Sequence, residues 1–107
     1  MTRPRRPSNN THRYPRSARL NELLREVLAE EVALIDDDRL DLVSITQIDV
    51  DSEMNHATVY FDSLRGAEGD TEILEALTEY RKRLQGAIGR QVRARKTPIL
   101  DFRPDEV

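Results

Sequence analysis

The sequence predicts an α+β domain in which helices cover one face of a three-stranded sheet, in the order helix, strand, strand, helical region, strand, or α-β-β-α(α)-β. Three observations carry that prediction. An apolar stripe of helical spacing runs from Leu20 to Ile35, a β-branched alternating segment runs from Leu42 to Asp51 with a second strand-like run behind it, and Pro98 separates a later helical stripe from a short apolar run. A chain of 107 residues builds one core of modest size, so a single domain is expected over residues 17–103, between an N-terminal arm at 1–16 and a tail at 104–107.

The first helix is expected to begin at Ser17, whose hydroxyl can cap it, and to turn Leu20, Leu23, Leu24, Val27, Leu28, Val32 and Ile35 to the core. It should stop at Asp36-Asp37-Asp38, where short carboxylates favour turns and face the negative end of the helix dipole. Val43 and Ile45 then share one parity while Ile48 and Val50 share the other, which requires a bulge or sharp twist near Thr46 and Gln47. A polar turn, 52–56, leads into Ala57, Val59 and Phe61 on one face of a second strand, closing an antiparallel hairpin. Asp70 or Thr71 can cap the next helical region, with Ile73, Leu74, Leu77, Tyr80, Leu84, Ile88 and Val92 as its stripe. Gly86 and Gly89 each cost about 1 kcal/mol against alanine in a helix interior, so a kink or break is expected there. Ile99-Leu100-Asp101-Phe102, begun by its proline, is the third strand.

Composition removes whole classes of chemistry. With no cysteine there is no disulfide frame, thiolate metal site or cysteine nucleophile, as suits a reducing cytoplasm. His12 and His56 each stand alone, and consecutive aspartates at 36–38 diverge rather than converge on an ion, so no metal or other cofactor is expected. No apolar run reaches the roughly 20 residues that span a bilayer, so no membrane partner is expected. No phosphate loop or nucleophile-base pair is present, which argues against an enzyme.

The net charge of −3 conceals segregation along the chain. Arg3, Arg5, Arg6, Arg13, Arg16 and Arg19 lie in a proline-rich start without an acid, expected to be disordered. Acids dominate from Asp36 to Asp70, and the seven basic residues from Arg81 to Lys96 have no acid among them. On a continuous helix, Lys82, Arg83, Gly86, Arg90 and Arg93 form a basic ribbon opposite the apolar stripe, continued by Arg95 and Lys96. Such a ribbon suits a phosphate backbone, where released counterions supply affinity with little sequence information, and Arg13 and Arg16 could add to it. Glycine in the ribbon would let RNA come close to the backbone. Gly86-Ala87-Ile88-Gly89 matches the Gly-x-x-Gly clamp, but Ile88 continues the core stripe, which places the pair in or beside a helix rather than on a gripping loop. Among the aromatics only Tyr60 has outward strand parity, too little for a stacking platform.

Four ordered segments resemble the ribosome-binding factor A family. Asp37-Asp38-Arg39-Leu40 resembles its Asp-Pro-Arg-Leu turn, with aspartate in place of proline. The strand from Val43 to Asp51 is similar to its Val-Thr-Val-Thr-x-Val-x-Val-Ser, and Met54 to Phe61 to its Leu-x-x-Ala-x-Val-Tyr-Val return. Arg93 to Phe102 resembles Arg-x-Arg-x-x-Pro-x-Leu-x-Phe. The resemblance implies a fold similar to a type II KH domain and a cytoplasmic assembly factor, expected as a monomer. Such a factor binds the immature small (30S) subunit and its 16S rRNA, assists late maturation and 5′-end processing, and leaves before translation. In one place the chain departs from the pattern: where the family has an Ala-x-Gly kink between its last two helices, the register set by Pro98 puts Tyr80-Arg81-Lys82. The kink then moves to Gly86 or Gly89, or the helix is straighter; a kink at Tyr80-Lys82 itself also stays open. The rival reading is a protein-interaction module whose acidic first strand, with Asp49 and Asp51, and open sheet bind a basic ribosomal protein without RNA.

Overall fold

In the computed structural model, which describes residues 14–94 and 96–105, the first helix, α1 (Tyr14–Leu34), starts three residues ahead of Ser17. Pro15 falls in its first turn, where the missing N–H has no partner to lose and the fixed φ already suits a helix. Residues 14–16, assigned from sequence to the disordered arm, are therefore helical; Arg13 and the rest of the arm lie outside the described residues. Leu24, Val27, Leu28 and Val32 are buried along one stripe, but Leu23, expected with them, is 43% exposed. After Leu34 the chain tucks Ile35 into the core and makes a short 3-10 turn, Asp38–Leu40, capped by Asp37, whose Oδ1 accepts the Arg39 backbone N–H at 2.9 Å.

The strands β1 (Val43–Val50) and β2 (His56–Ser63) form the expected hairpin. Ile45 lies opposite Phe61 and Gln47 opposite Tyr60, which leaves Thr46 as the extra residue of a bulge at the predicted place. The bulge turns both Ile45 and Ile48 into the core despite their opposite parity. Thr46 Oγ1, set free of the ladder, donates to Asp105 Oδ2 at 2.7 Å. At the strand end, Leu42 has φ 66° and its carbonyl accepts from Leu64 N. The third strand, β3 (Ile99–Pro104), runs two residues beyond the expected segment and pairs parallel to β2, giving the order β1-β2-β3. A parallel neighbour needs a crossover, supplied here by α2 (Asp70–Glu79) and α3 (Arg81–Gln91). Asp70 opens α2 after Gly69, and neither it nor Thr71 makes a side-chain cap bond.

The helices share one face of the sheet, where Phe61, Val59, Ile48 and Leu100 meet Leu24, Leu28, Ile73, Leu77, Leu84 and Ile88. Each such side chain contributes about 1.5–3 kcal/mol by leaving water. The opposite face, with Ser44, Gln47, Asp49, Asp62, Asp101 and Arg103, is exposed.

The helical region does break, but not at its glycines. Tyr80, with φ −93° and ψ 8°, separates α2 from α3, while Gly86 and Gly89 lie inside α3. The cause is a tertiary clasp. Arg39 donates to both oxygens of Asp37 (3.1 and 2.7 Å) and of Glu79 (2.9 and 2.8 Å), and the Tyr80 hydroxyl donates to Asp37 Oδ2 at 2.9 Å. Arg39 holds the Asp37 carboxyl well below the usual carboxylate range and lowers that of Glu79; the bond to Asp37 raises the Tyr80 phenol. These charge-assisted bonds anchor both residues at the helix break to the turn after α1.

Candidate nucleic-acid interface

Helix α3 buries Leu84, Ala87 and Ile88 and so must turn its polar arc outward. At 100° per residue, Lys82, Gly86, Arg90 and Arg83 fall on one arc of that outer surface. Lys82 is exposed in the first turn. Arg83 reaches α1, donating from Nε to Glu31 Oε2 at 2.7 Å. Arg90 Nη2 approaches Glu31 Oε1 at 3.9 Å, too far for a hydrogen bond. Gly86 is half-buried, and a Cβ there would stand 3.3 Å from Arg90 Nη1, so the missing side chain makes room for the arginine that leans back across it.

The ribbon ends sooner than a helix through Lys96 would place it. Val92 is already extended, with φ −118° and ψ 124°, because its side chain is buried as the chain turns toward β3. Arg93 and Lys96 are exposed on this connecting segment rather than on the helix. The Lys96 ammonium donates to Asn55 Oδ1 in the β1–β2 turn. Arg13 and Arg95 lie outside the described residues; Arg16 belongs to the first turn of α1. The structure thus brings Lys82, Arg83, Gly86 and Arg90 together on α3 and sets Arg93 and Lys96 beyond its end. Gly86 and Gly89 flank buried residues within the helix and form no loop.

Three contributors escaped the sequence reading. Arg81 is half-buried with its guanidinium 5.9 Å from the centre of the Phe102 ring, within range of a cation–π contact that ties the start of α3 to β3. Gln85 accepts the Leu100 N–H at 3.2 Å and so covers part of the free edge of β3. Glu31 is a carboxylate only 8% exposed. Its signal was present in sequence, since it is an acid inside the apolar stripe between Leu28 and Val32. Among the described residues, no helix is long and apolar enough to cross a membrane.

Comparison with known proteins bears on the same region. A family model described as ribosome-binding factor A matches residues 16–107. The chain is 37% identical over 91 residues to ribosome-binding factor A of Rubrobacter xylanophilus, a match that spans 84% of this chain and 74% of that protein. The crystal structure of ribosome-binding factor A from Thermus thermophilus is similar with a TM-score of 0.74 at 34% identity, covering 82% of this chain and 93% of the other. A homology model of the Thermus thermophilus factor, fitted into a cryo-EM map of its complex with the 30S subunit, is similar with a TM-score of 0.67 at 34% identity, covering 81% and 92%. The mixed three-stranded sheet with three helices is the KH-like arrangement that the sequence resemblance implied.

Proposed function

The chain belongs to the ribosome-binding factor A family, and from that premise we propose that it binds the immature small (30S) ribosomal subunit through 16S rRNA and assists late maturation, including processing near the 5′ end. The observation that carries the reading is the outer arc of α3, where exposed cations are grouped on a rigid helix. Lys82 and Arg90 on the helix, with Arg93 and Lys96 beyond it, offer exposed cations to a phosphate backbone, and Gly86 keeps the surface beside Arg90 low. By charge alone the same reading extends to Arg13, Arg16 and Arg95. Recognition is of backbone and shape, since among the described residues Tyr60 is the one aromatic directed to the open sheet face. The work is done by binding, without catalysis or a cofactor, in the cytoplasm and as a monomer.

A second reading draws on the open sheet face, where Asp49, Asp62 and Asp101 are exposed and could hold a basic ribosomal protein instead. Co-sedimentation with free small subunits at rising salt separates the two. The RNA reading expects salt-sensitive binding that is lost in Arg90→Glu/Arg93→Glu and retained in Asp49→Asn/Asp101→Asn; the opposite pattern would establish the protein-binding module, and no binding would end both.

A further inference from the structure

Basic residues on one helical arc are not equivalent if one of them is already committed. Glu31, on α1, has a side chain only 10% exposed. A carboxylate so placed depends on protein donors for its hydrogen bonds, because little water reaches it. Among the described residues, the donor at hydrogen-bond distance is Arg83, at 2.7 Å. Arg90 comes to 3.9 Å, makes no hydrogen bond to it, and is 65% exposed.

We infer that Glu31 divides the basic arc of α3 in two: it withdraws Arg83 from RNA to hold α1 against α3, and it leaves Arg90 as a cation that passes from Glu31 to a phosphate. This inference rests on the RNA-binding reading and specifies which side chains take part in it. For Arg83 to turn outward, a buried carboxylate would lose the one hydrogen-bonded partner it has among the described residues. For Arg90 to do so, only a long ion-pair approach is given up, and its guanidinium lies over Gly86 on a side chain that is already mostly exposed. Glu31 is then a positioning residue. It sets the number of phosphates that the arc neutralises, a quantity that no residue of purely structural effect would change.

That number is measurable, because the slope of log affinity against log salt changes by about 0.7–0.9 for each phosphate that the protein neutralises. Binding of the full chain to free small ribosomal subunits would be followed across a salt series, with thermal unfolding recorded for every variant. Arg90→Gln should make the slope shallower by about one phosphate and leave the melting temperature nearly unchanged. Arg83→Gln should do the reverse, with the slope unchanged and the melting temperature lowered. Glu31→Gln frees Arg83 and should steepen the slope by about one phosphate, an effect cancelled when Arg83→Gln is added. A slope that falls as much in Arg83→Gln as in Arg90→Gln would overturn the inference, as would an unaltered slope in a folded Glu31→Gln. If Glu31→Gln does not fold, the contrast between the two arginine variants decides alone. Absence of salt-dependent binding by the unaltered chain would remove the RNA reading itself, before any variant is compared.

Discussion

Replacing Gly89 by alanine should stabilise the domain without weakening the binding to small subunits proposed for it, and this variant separates a helix interior from a phosphate clamp. Gly89 has helical backbone in α3, and its φ is not positive. The substitution therefore removes the conformational freedom of glycine from the unfolded chain at no backbone cost. A new Cβ would stand 3.5 Å from Thr97 Oγ1, an ordinary van der Waals contact. The full glycine-to-alanine difference in a helix interior is about 1 kcal/mol. Gly89 stands two residues before the end of α3, where helices fray, so we expect about 0.5–1 kcal/mol. For a domain of this size that raises the melting temperature by about 2–8 °C. Circular dichroism at rising temperature measures it, and co-sedimentation with small subunits measures binding. If Gly86 and Gly89 gripped phosphates, the added methyl would instead reduce binding at constant or lower stability, and that result would refute the helical assignment.

The clasp at Tyr80 makes stability depend on pH. Because the Asp37 carboxyl is lowered in the folded state, chiefly by its hydrogen bonds from Arg39, its contribution is complete above the unfolded value of about 4 and is lost as pH falls through the folded value. The urea midpoint of Asp37→Asn should lie below that of the unaltered chain at pH 7, and the gap should narrow steadily as pH falls below about 4; a gap of unchanged size from pH 7 down to pH 2 would mean the pair does not act by charge. Deleting Thr46 should leave a folded protein, since the ladder then alternates regularly with Val43, Ile45, Ile48 and Val50 all inward; the loss of its bond to Asp105 should lower the melting temperature by a few degrees, about 1 kcal/mol. Amide spectra that collapse on deletion would show that the bulge itself is indispensable.

What sequence disclosed here was whatever one segment decides for itself. The stripe of α1 and the slip of parity at Thr46 are local patterns, and each is visible within a dozen residues. The break at Tyr80 is not local. Its residues favour a helix as much as their neighbours do, and the chain yields there because Asp37 and Arg39 grip Glu79 and Tyr80 across some 40 positions. Gly86 and Gly89 carry the weak propensity that suggests a break, yet Ala87 and Ile88 are buried between them and packing overrides it. The basic arc was visible as a run of charge, but not its division: Arg83 and Glu31 are 52 residues apart, and only the packing of α1 on α3 makes them neighbours. In the same way, the early exit of the chain from α3 at Val92 follows from a pocket for one side chain, which moves Arg93 and Lys96 off the helix.

The parallel pairing of β3 sets a timetable for the chain's own birth. From His56 to Phe61, β2 lies in register with residues 43 positions later, so the inner strand of the sheet waits for its second neighbour while α2 and α3 are still being made. At typical bacterial elongation rates that interval lasts about 2–9 s. Throughout it, Val59 and Phe61 lack the cover of Leu100, and one edge of the hairpin is bare, the condition under which nascent strands find each other instead of their own fold. Pairings so distant in sequence close slowly, because the entropy of closing the loop is lost before the contact rewards it. Slower decoding of residues 64–98 would lengthen the exposure without altering any bond of the finished protein.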